Sequence, residues 1–238
     1  MAEPAVSCRV GGHGPHLWII CASDAHGADP RNRGAALGAA FTEEVLGKTL
    51  THSPDKKTLI GILGQVRGKL QGAAASRPLQ KFAVNLTFLV LTGPRLAGAN
   101  IGENSVIAFT EVDRLTREKS LLPLCVAMQS EKGQNTGLAT RGRQQKAGFA
   151  HKTISPMHAL MVASRHATGF FEGKSGSGAL FDKAGIENFE KELLGLGPRK
   201  IHGYFADYAY QQQQEKNSAM IIAHRTDRPQ FTALRDFA

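Results

Sequence analysis

Cysteine is scarce in this sequence: Cys8, Cys21 and Cys125 are the only three. An odd number at no metal-ligand spacing argues against a disulfide framework or a cysteine zinc site. Cys21 and Cys125 lie in apolar runs, so the expectation is reduced core thiols in a cytosol-like compartment. Long hydrophobic runs are also missing, and none nears the roughly 20 residues that span a bilayer. The opening "MAEPAVSCRV" lacks the basic region and apolar stretch of a signal peptide, which predicts an intracellular, cytoplasmic protein. Aromatic residues are few at 7%, poor material for a base-stacking surface, and no nucleic-acid-binding motif accompanies the basic groups. No internal repeat or low-complexity linker divides the chain. It reads as one domain over 1–238, ending in a polar C-terminal tail at 226–238 whose apolar anchors are Phe231, Leu234 and Phe237.

What the chain has in excess is positive charge. Lysine and arginine outnumber aspartate and glutamate by 29 to 20, a formal net charge of +9, which calls for a partner with acidic surfaces. That partner is expected to be a protein; a nucleic acid or another anionic surface is the alternative. The densest basic groups, "PRNR", "DKK" and "TRGRQQK", are scattered.

The hydrophobic pattern gives an element order. "HLWIICAS" (16–23) is a strand by its aromatic and β-branched content, ending in the polar turn "DAHGADPRNRG". Residues 33–48 space Ala36, Leu37, Ala39, Ala40, Val45 and Leu46 as an alanine-rich helix suited to close packing on a sheet. A second helix is predicted from Ser53, as N-cap, to about Ala75, with Pro54 in its first turn and a stripe of Leu59, Ile62, Leu63, Val66 and Leu70. Strands follow at 81–92, 95–102 and 104–110, separated by the turn signals "GP" and "GEN", with further strands at 123–128 and 157–164. Two helical stretches at 182–195 and 198–215 precede a last strand at 217–225. This order predicts an α+β fold, a layered sandwich in place of a doubly wound parallel sheet.

Four collinear segments resemble one family, the metal-dependent Ser/Thr protein phosphatases of type 2C, or PPM family. "LWIICASDAHGADPRNRGAALGAA" resembles the family's strand, acidic "DGxG" turn and following helix. "NLTFLVLTGPRLAGANIGENSVIAF" resembles the paired strands carrying "VANIGDSRAYL". "HALMVASRHATGFF" resembles "DxLLLASDGLTDxL", and "KNSAMIIAHR" resembles the closing "DNITVVVVR". The resemblance implies a four-layer αββα sandwich with two central antiparallel sheets, in which the strands through Ile19–Cys21, Leu86–Leu91 and Leu160–Val162 are buried.

The family's chemistry uses carboxylates at the edge of the sandwich to hold two Mg²⁺ or Mn²⁺ ions, which lower the pKa of a shared water. Carried over residue by residue, the resemblance retains Asp24 as the one ligand position. Ala25 stands where the family has glycine, Arg165 where it has the aspartate of "SDG", and Lys216 where it has the aspartate of the closing "DN". The family's early arginine and acidic ligand have no match in "MAEPAVSCRVGGHGPH". Two fixed cations in place of two carboxylates repel a divalent ion, so no metal and no catalytic residue is expected. Arg165 and Lys216 are expected either to neutralise Asp24 in an ion-pair cluster or to point to solvent at strand ends.

Other candidates carry less chemistry. His13, His16 and His26 near Asp24 and Asp29 would form a transition-metal site, though at no established ligand spacing. Asp29 and Asp207 are substitute ligands only if loops reorganise, and otherwise capping or helix-face carboxylates. Ser175 and Ser177 in "GKSGSG" lack the full Walker spacing and read as a loop. "QQQQ" at 211–214 sits late in a helix and needs no special role. The resulting expectation is a catalytically inactive phosphatase-like domain serving as an interaction or structural module in a larger assembly. The alternatives are an active Mg/Mn-dependent phosphatase with a rearranged site and a basic nucleic-acid-associated module.

Overall fold

Side-chain alternation in one strand sets up the whole architecture. In β2 (His16–Asp24), Trp18, Ile20 and Ala22 join a core shared with two helices, whereas Ile19 and Cys21 join a second core shared with another sheet. A strand buried on both faces must read as a near-continuous apolar run, and "HLWIICAS" does. The computed structural model describes residues 6–24, 34–76, 82–102, 104–110, 138–139, 147–153, 157–164, 219–225 and 231–234, with the single residues Gly203 and Asp207.

The elements alternate in type only once. β1 (Val6–His13) and β2 are followed by α1 (Ala35–Thr49) and α2 (Lys56–Ala75). Then come β3 (Ala83–Thr92), β4 (Arg95–Ile101), β5 (Ser105–Thr110), β6 (Leu138–Ala139), β7 (Gly148–Thr153), β8 (Met157–Ala163), β9 (Met220–Arg225) and β10 (Phe231–Leu234). They form two antiparallel sheets. One runs β1-β2-β3-β4-β7, with β6 pairing β3 beside β4, and the other runs β10-β9-β8-β5. The expected burial of the core strands is found: Ile19, Ile20, Cys21, Leu86, Phe88, Leu89, Leu160 and Val162 are all sealed from solvent.

The same dipeptide closes two hairpins. Gly14-Pro15 joins β1 to β2, with His13 paired to His16, and Gly93-Pro94 joins β3 to β4, with Thr92 paired to Arg95. Both glycines have a φ of 55°, the left-handed value that a two-residue hairpin turn needs at its first central position, and proline then fixes the second. The "GP" between 92 and 95 is legible as a turn. The one at 14–15 carries no hairpin signal in the sequence, because β1 runs through "VSCRVGGH" with little apolar content.

The two helices cover the first sheet. Gly34 and Gly38 let α1 lie directly on β3: a Cβ at Gly34 would come 2.9 Å from Val84 Cγ2, and one at Gly38 would come 3.0 Å from Val84 Cγ1. Arg9 of β1 pairs with Glu43 of α1, tying the edge strand to the helix layer. Lys69 lies 5.5 Å from the Phe41 ring centroid and also pairs with Glu44 at 2.9 Å, fastening α2 to α1.

α2 begins later than the sequence suggests. Its N-cap is Asp55, whose carboxylate accepts from Thr58 N at 2.7 Å, and not Ser53. Aspartate reaches the orphan N–H two to three residues on, whereas Ser53 Oγ is buried with no hydrogen-bond partner. Residues 231–234, read from sequence as anchors of a polar tail, form β10 on the edge of the second sheet, with Phe231 paired to Arg225. The strand expected at 123–128 and the helices at 182–195 and 198–215 lie outside the described residues, except for Gly203 and Asp207, which are helical and exposed.

Candidate functional site

The layer between the two sheets changes character along its length. Near the Gly-Pro turns it is apolar, with Leu91, Leu96, Leu89 and Ile19. Toward the opposite edge the same faces of the same strands carry polar residues: Ser23 on β2, Asn85 and Thr87 on β3, and Asn100 on β4, all buried. Asn104, just before β5, joins them from the connection between the two sheets.

Burial obliges these groups to satisfy one another. Ser23 Oγ donates to Asn104 Oδ1 at 2.8 Å. Asn85 Nδ2 donates to Ser23 Oγ at 3.2 Å and to the Asp24 carbonyl at 3.3 Å. Asn104 Nδ2 donates to the carbonyls of Cys21 at 3.0 Å and Asn85 at 3.3 Å, clamping β2 and β3 together at their site end. Asn100 Nδ2 donates to the Asn104 carbonyl at 3.0 Å and accepts at Oδ1 from Thr87 Oγ1 at 2.7 Å. Gly102 makes room for this network. Its φ is 101°, and a Cβ there would fall 2.1 Å from Asn85 Oδ1, so only glycine fits.

Asp24 ends β2 at this edge, and alternation puts its side chain on the helix side. There Oδ1 accepts from Gly34 N at 2.9 Å and from Ala35 N at 3.0 Å, the first N–H groups of α1. The N-cap residue Gly34 has no side chain with which to do this, so a carboxylate ten residues earlier serves as the cap. Negative charge at this position also meets the positive end of the helix dipole. On the second sheet, the edge is closed by Ser164 and Ala219. Ser164 N donates to the Ala219 carbonyl at 2.9 Å, and Ala219 N donates to Ser164 Oγ at 3.0 Å.

Of the residues singled out from sequence, Asp24 is placed as described, and the structure gives it a capping role. Ala25, His26, Asp29, Arg165, Ser175, Ser177 and Lys216 lie outside the described residues. Ser164 directly precedes Arg165, and Ala219 follows Lys216 by three residues. The histidine site built on His13 and His16 is overturned. These two flank the Gly-Pro turn at the far end of β2, and eight strand steps of about 3.3 Å put His16 roughly 26 Å from Asp24. His16 is instead buried, with Nδ1 2.7 Å from Thr92 Oγ1 of the facing strand. Asp207 is helical and exposed.

The described donors do not suit a pair of divalent cations. Hard ions need several carboxylates, and among the described residues this edge supplies one, Asp24, with an oxygen already shared by two backbone N–H groups, among neutral amides and hydroxyls that bond one another. No group of three or more His, Cys, Asp or Glu able to hold a metal occurs among the described residues. Nor is a nucleophile activated within the network, since Ser23 donates to an amide oxygen, which is no base. Sequence reasoning missed the asparagines. Their signal was available in "AVNLTF" and "GANIGENS", where an amide interrupts an otherwise apolar strand.

With this geometry in place, comparison with solved structures decides the fold. A bacterial serine phosphatase variant superposes with a TM-score of 0.62 at 10% identity, over 94% of this chain and 92% of its own. The fold is that of the PPM-type phosphatases. Serine/threonine phosphatase Stp1 from Staphylococcus aureus matches with a TM-score of 0.61 at 10% identity, over 94% of this chain and 90% of its own. A structure from work on the bacterial stressosome, described as a modular system adapted to control secondary messenger signalling, matches with a TM-score of 0.50 at 12% identity, over 92% and 91%. No family model matches the sequence, and no characterised protein matches it by sequence. The PPM fold is thus kept at a sequence distance where only the arrangement of elements is shared.

Proposed function

We propose that this chain is a catalytically inactive PPM-like domain that acts as an interaction or structural module in a larger assembly. The observation that carries the reading is the employment of Asp24. The one carboxylate at a retained ligand position is committed to the N-terminus of α1, beside a self-satisfied network of neutral amides. The sequence supports it, with Arg165 and Lys216 where the resembling family has aspartates. In this reading the domain spans 1–238 as one four-layer αββα sandwich. A net charge of +9 selects a protein partner with an acidic surface in an intracellular, cytoplasmic setting. No helix among the described residues is long and apolar enough to cross a membrane.

The occurrence of the same fold in stressosome work supports a place in a regulatory assembly. The test has two arms. Purified protein is assayed for bound Mn and Mg and for hydrolysis of an aryl phosphate with each ion added; neither stoichiometric metal nor hydrolysis above the blank is expected. Metal-dependent turnover that disappears in Asp24→Asn would overturn inactivity in favour of a rearranged phosphatase site. Affinity purification from the native source should return a protein partner that salt releases. Recovery of nucleic acid alone, with nuclease-sensitive binding, would refute the protein-module reading.

A further inference from the structure

Cys8 and Cys21 are paired across the β1–β2 hairpin, a relation that neither the fold nor the candidate site requires. Starting from the His13–His16 pair, which a two-residue turn makes hydrogen-bonded, pair types alternate along the ladder. The Cys8–Cys21 pair lies five steps on, at a non-hydrogen-bonded position. Cα atoms at such positions are about 4.5 Å apart, within the range of about 4.4–6.8 Å that a disulfide spans. The side chains converge as well, with the two sulfurs in contact at 3.2 Å. Both thiols are free; Cys21 is fully buried and Cys8 is half-buried on the edge strand.

We propose that Cys8 and Cys21 form an oxidisable dithiol, a modification site that a hydroperoxide converts to a β1–β2 disulfide. Cys8, half-buried on the edge strand, is the more accessible of the two, since Cys21 is fully buried. Its attack on the peroxide oxygen breaks the O–O bond, leaving a sulfenic acid on Cys8 and releasing water or an alcohol. Cys21 Sγ then attacks Cys8 Sγ, the hydroxyl departs with the Cys21 proton as water, and the S–S bond forms. Two electrons pass from the thiol pair to the peroxide, and a dithiol reductant reverses the change. The hydrogen bond with Cys8, together with burial, raises the Cys21 thiol well above its ordinary pKa. Cys21 therefore stays protonated and unreactive until a neighbouring sulfenic acid presents an electrophile.

The link would pin the edge of the six-stranded sheet, on which α1 is held by Arg9 and Glu43, three residues before Asp24. It is tested on the full chain with hydrogen peroxide, followed by alkylation of free thiols and peptide mapping. The expected product has lost two hydrogens, joins the Cys8 and Cys21 peptides, leaves Cys125 open to alkylation and reverts with dithiothreitol. Its unfolding midpoint should rise by a few degrees and fall back on reduction, because the crosslink restricts the unfolded chain. In Cys8→Ser the same treatment should leave Cys21 as a thiol. Cys8 stopping at a sulfenic or sulfinic acid with Cys21 still alkylatable, or a link through Cys125, overturns the proposal. A link that forms without raising the midpoint overturns the pinning of β1.

Discussion

If Asp24 works as the cap of α1, replacing it by alanine removes the acceptor for two backbone N–H groups at once. Gly34 and Ala35 are both buried, and a buried donor left unsatisfied costs about 1–3 kcal/mol. Partial wetting of the sheet edge holds each loss to the lower half of that range, and the helix dipole adds about 0.3–1 kcal/mol for the lost charge. The sum for Asp24→Ala is about 2–5 kcal/mol. Asp24→Asn separates the two contributions, because the amide oxygen still accepts from Gly34 and Ala35 while the charge is gone; its cost should be only about 0.3–1 kcal/mol. The assay is urea unfolding followed by circular dichroism, comparing midpoints at unchanged slope. For a chain of this size each kcal/mol also lowers the melting temperature by about 2–4 °C. An Asp24→Ala protein within about 0.5 kcal/mol of wild type, the range of an ordinary surface change, would refute the capping role. So would an asparagine variant as damaged as the alanine variant.

Two sets of glycines should respond to alanine in opposite directions. On the exposed face of α2, a Cβ at Gly64 or Gly68 would meet nothing within 4 Å, so each change to alanine should stabilise by up to about 1 kcal/mol through helix propensity alone. Gly102→Ala, at positive φ and against Asn85, should destabilise by at least about 2 kcal/mol; denaturant midpoints of the three variants check both signs. A pH dependence should arise at Glu44, where hydrogen bonds from Lys48 and then Lys69 lower the carboxyl from 4.5 to about 2. The folded value lies below the unfolded one, so this contribution is complete above pH 4.5 and fades as the pH falls toward about 2. The midpoint gap between wild type and Glu44→Gln, small because the pair is exposed, should therefore close over that window, and a gap independent of pH would contradict it.

Much of the framework was decided by local sequence. The apolar runs at 16–23, 81–92 and 157–164 read as strands, and the stripe of Leu59, Ile62, Leu63, Val66 and Leu70 reads as the inner face of a helix. Gly93-Pro94 fixed a hairpin because the two residues impose their backbone angles without help from elsewhere. β1 and β10 were illegible for the opposite reason. Edge strands are half solvated, carry no continuous apolar signal, and exist because a neighbour offers a ladder of unpaired hydrogen bonds. The site divided along the same line. That Asp24 is a carboxylate at a strand end follows from the sequence, but that it caps a helix ten residues later depends on where the sheet places Gly34. The pairing of Cys8 with Cys21, the separation of His16 from Asp24, and the meeting of Ser23, Asn85 and Asn104 all join residues far apart in the chain or set apart by a strand's length. Such relations depend on register and on the stacking of two sheets, which no single segment encodes.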